Sequence, residues 1–189
     1  MEGVFARLIA ACVLVTSLAG SADARTTRHR ATAPAAPADG PTLLGNFREW
    51  SAYSRGDGDG KVCYALATPK SKEPARTKRD ATYFLINDWP GRKAKAEPEI
   101  VPGYQYKNGS TVSVKVGSHE FTFFTKNQAG SGGAWVLNTP DEAKLIAALR
   151  GGATAVVTGT SRRGTQTIDT YALAGVSEAI DKIHADCGM

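Results

Sequence analysis

The C-terminal part of the chain shows two kinds of hydrophobic periodicity in succession. Residues 154–160 (TAVVTGT) are rich in β-branched side chains, and residues 165–173 (TQTIDTYAL) alternate between two faces. Alternation with a period of two residues is typical of a β-strand. Between the two runs lies the turn-forming cluster Ser161-Arg162-Arg163-Gly164. The pattern therefore predicts an antiparallel hairpin.

After Gly175 the period changes to that of a helix. Apolar residues recur three or four positions apart and fall on one helical face, namely Val176, Ala179, Ile180, Ile183 and Cys187. We expect a short helix that ends near the cysteine.

Further strands are predicted upstream from short apolar or alternating runs that turn residues separate. They cover residues 47–53, 62–67, 81–88, 100–104, 111–116, 119–125 and 134–137. Glycine-containing turns at 56–60 and 117–118 predict two more hairpins, and Trp50 is expected to point inward. Residues 70–80 and 89–98, which are rich in Lys and contain Pro, are predicted to be loops.

A second helix is predicted to begin near residue 139. Thr139-Pro140-Asp141-Glu142 matches a capping box with proline in the first turn, and Gly151-Gly152 marks the end. Leu145 and Leu149 belong to its expected apolar face. Short strands with regularly spaced turns and two short helices indicate an all-β protein. The predicted architecture is an immunoglobulin-like β-sandwich in which one helix ends at the C-terminal cysteine.

The first 24 residues have the pattern of a secretory signal peptide. Arg7 precedes the apolar run 8–18, the small residues Ala22-Asp23-Ala24 follow it, and cleavage is predicted after Ala24. A lipoprotein cleavage site at Cys12 is the alternative, and it is disfavoured because the apolar run continues beyond that cysteine. The run is too short to stay as a transmembrane anchor, and no other stretch approaches it in length. We expect a periplasmic or secreted protein.

Composition divides the rest of the chain into a linker and a domain. Residues 25–45 contain prolines and alanines but few large apolar side chains, which predicts a disordered linker. Residues 46–189 are the predicted folded domain. Without the signal peptide this exported chain keeps two cysteines, Cys63 and Cys187, and an even pair indicates one disulfide. They lack the close C-x-x-C spacing of a zinc site.

The charge of the chain favours anionic partners. It carries 23 Lys and Arg residues against 18 Asp and Glu, a net charge of +5. Loss of the signal peptide removes Glu2, Arg7 and Asp23, which raises the net charge to +6. Lipid headgroups, lipopolysaccharide and host glycans are candidate acidic surfaces, whereas nucleic acid is not expected for an exported protein. Three basic segments are candidate contact surfaces: the loop 70–80, residues 92–95 and the last hairpin turn. The contact residues named in the first and third of these are Arg76, Lys78, Arg79, Arg162 and Arg163.

Sequence patterns for catalysis or metal binding are weak. His119 lies beside Glu120 on a predicted strand, but the other histidines, His29 and His184, are far away in sequence and share no motif with it. No G-x-S-x-G sequence occurs. Asp57 and Asp59 lie in a glycine-rich loop, but the twelfth position of an EF-hand would be Thr68 instead of Glu. We therefore expect no enzymatic activity, no cofactor and no metal. Arg55-Gly56-Asp57 is an integrin-type tripeptide, which we treat as coincidental unless it supports cell attachment.

Several of these runs resemble the invasion-associated locus B family. The similar segments are Val62-Cys63-Tyr64, residues 103–112, residues 126–135 and, above all, the pattern GTSxRGTxTxDTYxL from Gly159 to Leu173 followed by the helix with Cys187. The resemblance covers about residues 45–189. It implies an exported protein of Gram-negative bacteria with an immunoglobulin-like β-sandwich and no known enzymatic activity. Some members carry a cysteine where this chain has Ser54, which leaves Cys63–Cys187 as the internal pair.

The combined expectation is a non-enzymatic, envelope-associated binding or structural protein. Its partner is expected to be an unidentified protein or an anionic component of the envelope. The alternative is a surface-exposed adhesion or host-cell invasion factor that acts through Arg55 and Asp57.

Overall fold

The computed structural model describes residues 40–189. The predicted signal peptide, the alternative at Cys12 and residues 25–39 of the predicted linker lie outside the described residues. Within residues 40–189, no helix is both long enough and apolar enough to cross a bilayer.

The described part of the chain is built mainly from strands. These are β1 (Thr42–Phe47), β2 (Trp50–Arg55), β3 (Val62–Ala67), β4 (Ser71–Glu73), β5 (Tyr83–Trp89), β6 (Ala94–Val101), β7 (Thr111–Val116), β8 (His119–Asn127), β9 (Gly132–Val136), β10 (Thr154–Thr160) and β11 (Gln166–Ala172). Two helices accompany them, α1 (Thr139–Gly151) and α2 (Val176–Cys187).

The strands form one antiparallel sheet with the order β1-β2-β3-β5-β6-β9-β8-β7-β10-β11-β4. The three predicted hairpins, β2–β3, β7–β8 and β10–β11, are present. In β10–β11 the register pairs Thr160 with Gln166 across the predicted turn. Local alternation and turn residues thus specify these hairpins correctly.

The sheet folds over on itself so that its two halves face each other. Trp50 of β2 is fully buried, as predicted, and its Nε1 donates to the carbonyl of Ala172 at 3.0 Å. Phe84 of β5 meets Tyr171 of β11 edge-on, with ring centroids 5.6 Å apart. These contacts join strands that lie far apart in the sheet order, with the core between them. The all-β sandwich with two short helices is confirmed, and one continuous sheet supplies both layers.

Helix α2 closes the side of the sandwich formed by β1, β2, β3 and β5. The five residues predicted for its apolar face are all buried. Gly175 precedes the helix with φ of 95°, and a Cβ there would lie 1.8 Å from the carbonyl oxygen of Phe47. Only glycine permits this approach. At the other end, Cys187 forms a disulfide with Cys63 of β3, which confirms the predicted pair.

Several predicted boundaries differ from the structure, and the short strand β4 lies within residues 70–80, which were predicted to be a loop. Strand β1 begins at Thr42, so the last residues of the predicted linker 25–45 pair with β2, for example Thr42 with Ser54. Strand β6 begins at Ala94, although residues 89–98 were predicted to be a loop. Pro98 is tolerated because β6 pairs with β9 only at Glu99 and Ile100, and Pro98 lies beyond that contact.

The start of α1 also differs from the prediction. Asn138, and not Thr139, is the N-cap residue, and no side chain caps the helix. The predicted capping box is therefore wrong. The helix itself and its buried residues, Leu145 and Leu149, are confirmed.

The disulfide provides the first prediction. Cys63→Ala/Cys187→Ala should keep the fold but lose about 4–5 kcal/mol of unfolding free energy, because the bond restricts a long loop of the unfolded chain. Urea unfolding followed by circular dichroism measures the loss. Wild-type protein unfolded with a reductant should match the variant. An unchanged urea midpoint in both would contradict this role of the disulfide.

Candidate functional site: a basic cleft over a buried ion pair

Three segments that lie far apart in sequence meet at one end of the sandwich. They are the loop between β4 and β5, the segment that follows β6, and the turn between β10 and β11. Backbone hydrogen bonds join them: Arg162 N donates to the Gln105 carbonyl at 2.7 Å, and Asp80 N donates to the Gly103 carbonyl at 3.1 Å. Gly103 has φ of 73°, and a Cβ there would lie 2.4 Å from the Asp80 carbonyl oxygen. A glycine is required at this crossing.

Arg79 and Asp169 form a buried ion pair at this junction. Both nitrogens at the end of the guanidinium donate to the carboxylate, with distances of 2.9 and 2.5 Å. Each side chain is only 3% exposed. Burial alone lowers the pKa of Arg79, but the hydrogen bond and charge of Asp169 more than offset it and raise that pKa. The pair fixes the β4–β5 loop onto β11.

Tyr104 and Thr167 extend this polar cluster. The Tyr104 hydroxyl and Thr167 Oγ1 share a hydrogen bond of 2.6 Å. The Arg79 guanidinium lies 5.9 Å from the centroid of the Tyr104 ring. Burial raises the pKa of Tyr104, so its hydroxyl remains protonated at neutral pH. The cluster therefore offers a neutral phenol and a paired cation, both held in place.

A cleft of about 360 Å³ opens above the ion pair. Arg79, Tyr104 and Thr167 lie at its base. Exposed cations and further hydroxyls complete its wall: Lys78, Arg162, Arg163, Ser161, Thr77 and Thr165. Gln105 also lines the cleft, and its Oε1 accepts a short hydrogen bond from Arg162 Nη2. This hydrogen bond orients one of the arginines at the rim.

The chemistry of the lining is suited to binding anions. Arg79 is neutralised by Asp169, whereas no ion pair with Lys78, Arg162 or Arg163 occurs among residues 40–189. Guanidinium and ammonium groups bind phosphate and carboxylate oxygens through charge-assisted hydrogen bonds. The lining contains no histidine and no carboxylate. Residues 40–189 also contain no cluster of three or more His, Cys, Asp or Glu that would hold a metal.

The structure brings together part of the predicted contact set. Lys78 and Arg79 from one basic segment meet Arg162 and Arg163 from the other. Arg79 differs from the expectation of an exposed loop cation, since its side chain is buried by pairing with Asp169. Arg76 is exposed in the same loop but does not line the cleft.

Arg55 and Asp57 lie elsewhere: Arg55 is the exposed last residue of β2, and Asp57 lies in the exposed turn that follows. Tyr104 and Gln105 were not predicted as site residues, because they follow a strand with no charge to mark them. Asp169 was not predicted as a site residue either, and it is buried on β11 together with Tyr171.

The second prediction concerns the ion pair. Asp169→Asn leaves the Arg79 charge buried without a carboxylate, which should cost about 3–5 kcal/mol of unfolding free energy. Arg79→Met/Asp169→Leu removes both charges and should cost less than Asp169→Asn alone. Urea unfolding measures both.

Glu120→Gln is the matched control, because Glu120 pairs with Lys115 on the exposed surface at 3.5 Å. It should leave the urea midpoint almost unchanged. If Asp169→Asn behaved like this control, the ion pair would not stabilise the junction.

Comparison with known proteins identifies the family. The profile of the family described as Invasion associated locus B (IalB) protein matches residues 50–184. The crystal structure of invasion associated protein B from Bartonella henselae superposes with a TM-score of 0.54 at 15% identity, covering 78% of this chain and 99% of that one. At 15% sequence identity, this structural similarity shows a shared fold. No curated protein matches the chain. Because the profile spans most of the chain, the protein belongs to the invasion associated locus B family.

Proposed function

We propose that this protein is an exported, non-enzymatic binding protein that acts at or near the cell envelope, and that its basic cleft contacts anionic groups there. The proposal rests on one observation. Lys78, Arg162 and Arg163 come from two separate segments of the chain and line the same cleft. Carboxylates or phosphates of an envelope component are the matching chemistry.

The fixed base of the cleft supports a binding role. Arg79 is held by Asp169, and Tyr104 is held by Thr167, so neither side chain loses much freedom when a ligand binds. Preorganised groups give more binding free energy than flexible ones, because less conformational entropy is lost. The rim cations are exposed and provide the long-range attraction.

Export is supported by the sequence and by the disulfide. The first 24 residues match a signal peptide, and the predicted mature chain has a net charge of +6. The Cys63–Cys187 bond agrees with an oxidising compartment, where structural disulfides persist. These features support a periplasmic or secreted location.

The third prediction tests the cleft. Lys78→Gln/Arg163→Gln should weaken binding to vesicles that contain phosphatidylglycerol roughly 30-fold, since each basic residue near an anionic surface contributes about 1 kcal/mol. Vesicle co-sedimentation at low ionic strength measures the change. Purified lipopolysaccharide serves as a second probe, which distinguishes a phospholipid headgroup from an anionic glycolipid.

Lys93→Gln/Lys95→Gln is the matched control. It removes the same charge from the exposed segment 92–95, which was also predicted as a contact surface but lies outside the cleft. If both double variants lost the same affinity, binding would depend on net charge alone and not on the cleft. If neither probe bound the wild-type protein, the anionic envelope partner would be wrong.

A surface-exposed adhesion or invasion factor is the second candidate. It is favoured by the exposure of Arg55 at the end of β2 and of Gly56 and Asp57 in the turn that follows, where Gly56 has φ of 71°. An exposed tripeptide at a turn is accessible to a receptor.

The fourth prediction separates the two candidates. Mild protease treatment of intact cells should leave a periplasmic protein undigested, whereas a protein at the outer surface should be degraded. Asp57→Glu provides the matching variant, because it keeps the charge but changes the reach of the carboxylate. Degradation on intact cells, together with cell attachment that Asp57→Glu abolishes, would favour the adhesion factor over the envelope role.

A further inference from the structure

A second concave surface lies on the outer face of the sheet, where β6, β9 and β8 are adjacent. Its volume is about 680 Å³, which is within the range of small-molecule sites. Its lining shares no residue with the basic cleft. We call it the aromatic groove and define it by Phe124, Trp135, Leu137, Glu97, Glu99 and Lys126.

The exposed ring of Phe124 and the half-buried indole of Trp135 form an aromatic platform in the groove. They are cross-strand partners on β8 and β9, with ring centroids 5.8 Å apart and planes inclined by 32°. Phe124 is 41% exposed and Leu137 is 51% exposed, both unusually high values for such large apolar side chains.

A glycine makes room for the Trp135 ring. The indole lies over Gly133, where a Cβ would come within 2.4 Å of the ring. The indole therefore rests against the backbone of its own strand. The face of an aromatic ring carries partial negative charge and can pack against the C–H groups of a saturated ring.

The polar groups around the platform include both acceptors and donors. Glu99 is the cross-strand neighbour of Trp135, and its Oε2 accepts a hydrogen bond of 3.1 Å from Asn87. Burial raises the pKa of Glu99, although the Asn87 hydrogen bond opposes that shift. Glu97 pairs with Arg92 at 3.3 Å. Lys126 supplies an ammonium donor on the opposite side.

The lining carries charges of both signs and so does not select a strongly ionic ligand of either sign. Carboxylates of Glu97, Glu99 and Glu142 would repel an anion, and the cations of Arg92 and Lys126 would repel a cationic ligand. A ligand with an apolar face and many hydroxyls matches this lining. Its apolar face can pack on the aromatic rings, and its hydroxyls can hydrogen-bond to the carboxylates and to the cations, because a hydroxyl both donates and accepts. We propose that the aromatic groove binds a neutral saccharide, with one sugar ring stacked on Phe124 and Trp135 and its hydroxyls bonded to Glu99 and Lys126.

The fifth prediction is a titration of the full mature protein with neutral oligosaccharides of glucose and of N-acetylglucosamine, followed by NMR. The Trp135 indole and Phe124 ring signals should shift on saturation with at least one series. Phe124→Ala should weaken binding about five- to tenfold through loss of stacking, and Phe124→Tyr should restore it.

Leu43→Ala is the matched control, since Leu43 is 50% exposed on β1 and lies outside the groove. It should bind as the wild type does, and so should Lys78→Gln/Arg163→Gln, which alters only the cleft. The latter comparison separates this inference from the proposed envelope function.

Three results would overturn the inference. One is the absence of Phe124 and Trp135 shifts with both oligosaccharide series. Another is saturable binding of tetramethylammonium with no response to the sugars, which would indicate a cation site. The third is equal loss of affinity in Phe124→Ala and Leu43→Ala, which would indicate nonspecific apolar binding.

Discussion

The ion pair between Arg79 and Asp169 imposes a strong constraint on the sandwich. Both side chains are almost fully buried, and a charge removed from water is tolerated only with a partner at hydrogen-bonding distance. The β4–β5 loop must therefore follow β11 closely. This position brings Lys78 to the β10–β11 turn and sets Tyr104 against Thr167. The shape of the cleft thus depends on an ion pair that is buried beneath its exposed cations.

The C-terminal helix is held in place by a different set of interactions. Helix α2 is buried against β2 and β3 and is tied to β3 by the disulfide. Trp50 then joins β2 to β11 through the Ala172 carbonyl. Burial, a covalent bond and a buried hydrogen bond thus act together where the sheet folds over. The loops that carry the cleft and the strands that carry the aromatic groove can present polar side chains because the core is stabilised elsewhere.

The two surfaces differ in how the fold constructs them. The basic cleft uses turns and loops, whose exposed cations are not needed for packing. The aromatic groove uses outward positions of the sheet, where Phe124, Trp135 and Glu99 follow the alternation of their strands. A ligand surface on strands is more rigid than one on loops. The protein thus combines a charged loop surface with a rigid aromatic one.

The sequence by itself determined the strands of three hairpins, both helices and the buried face of α2, because hydrophobic period and turn residues are local properties. It also determined the Cys63–Cys187 pair, because the predicted exported chain keeps only two cysteines. It did not reveal β1 or the early start of β6, since Pro and Gly there indicate loops until a neighbouring strand supplies hydrogen bonds. Only the tertiary structure decided that Arg79 is buried while Lys78 is exposed. Neighbouring cations have the same local pattern, and the difference comes from Asp169, ninety residues away.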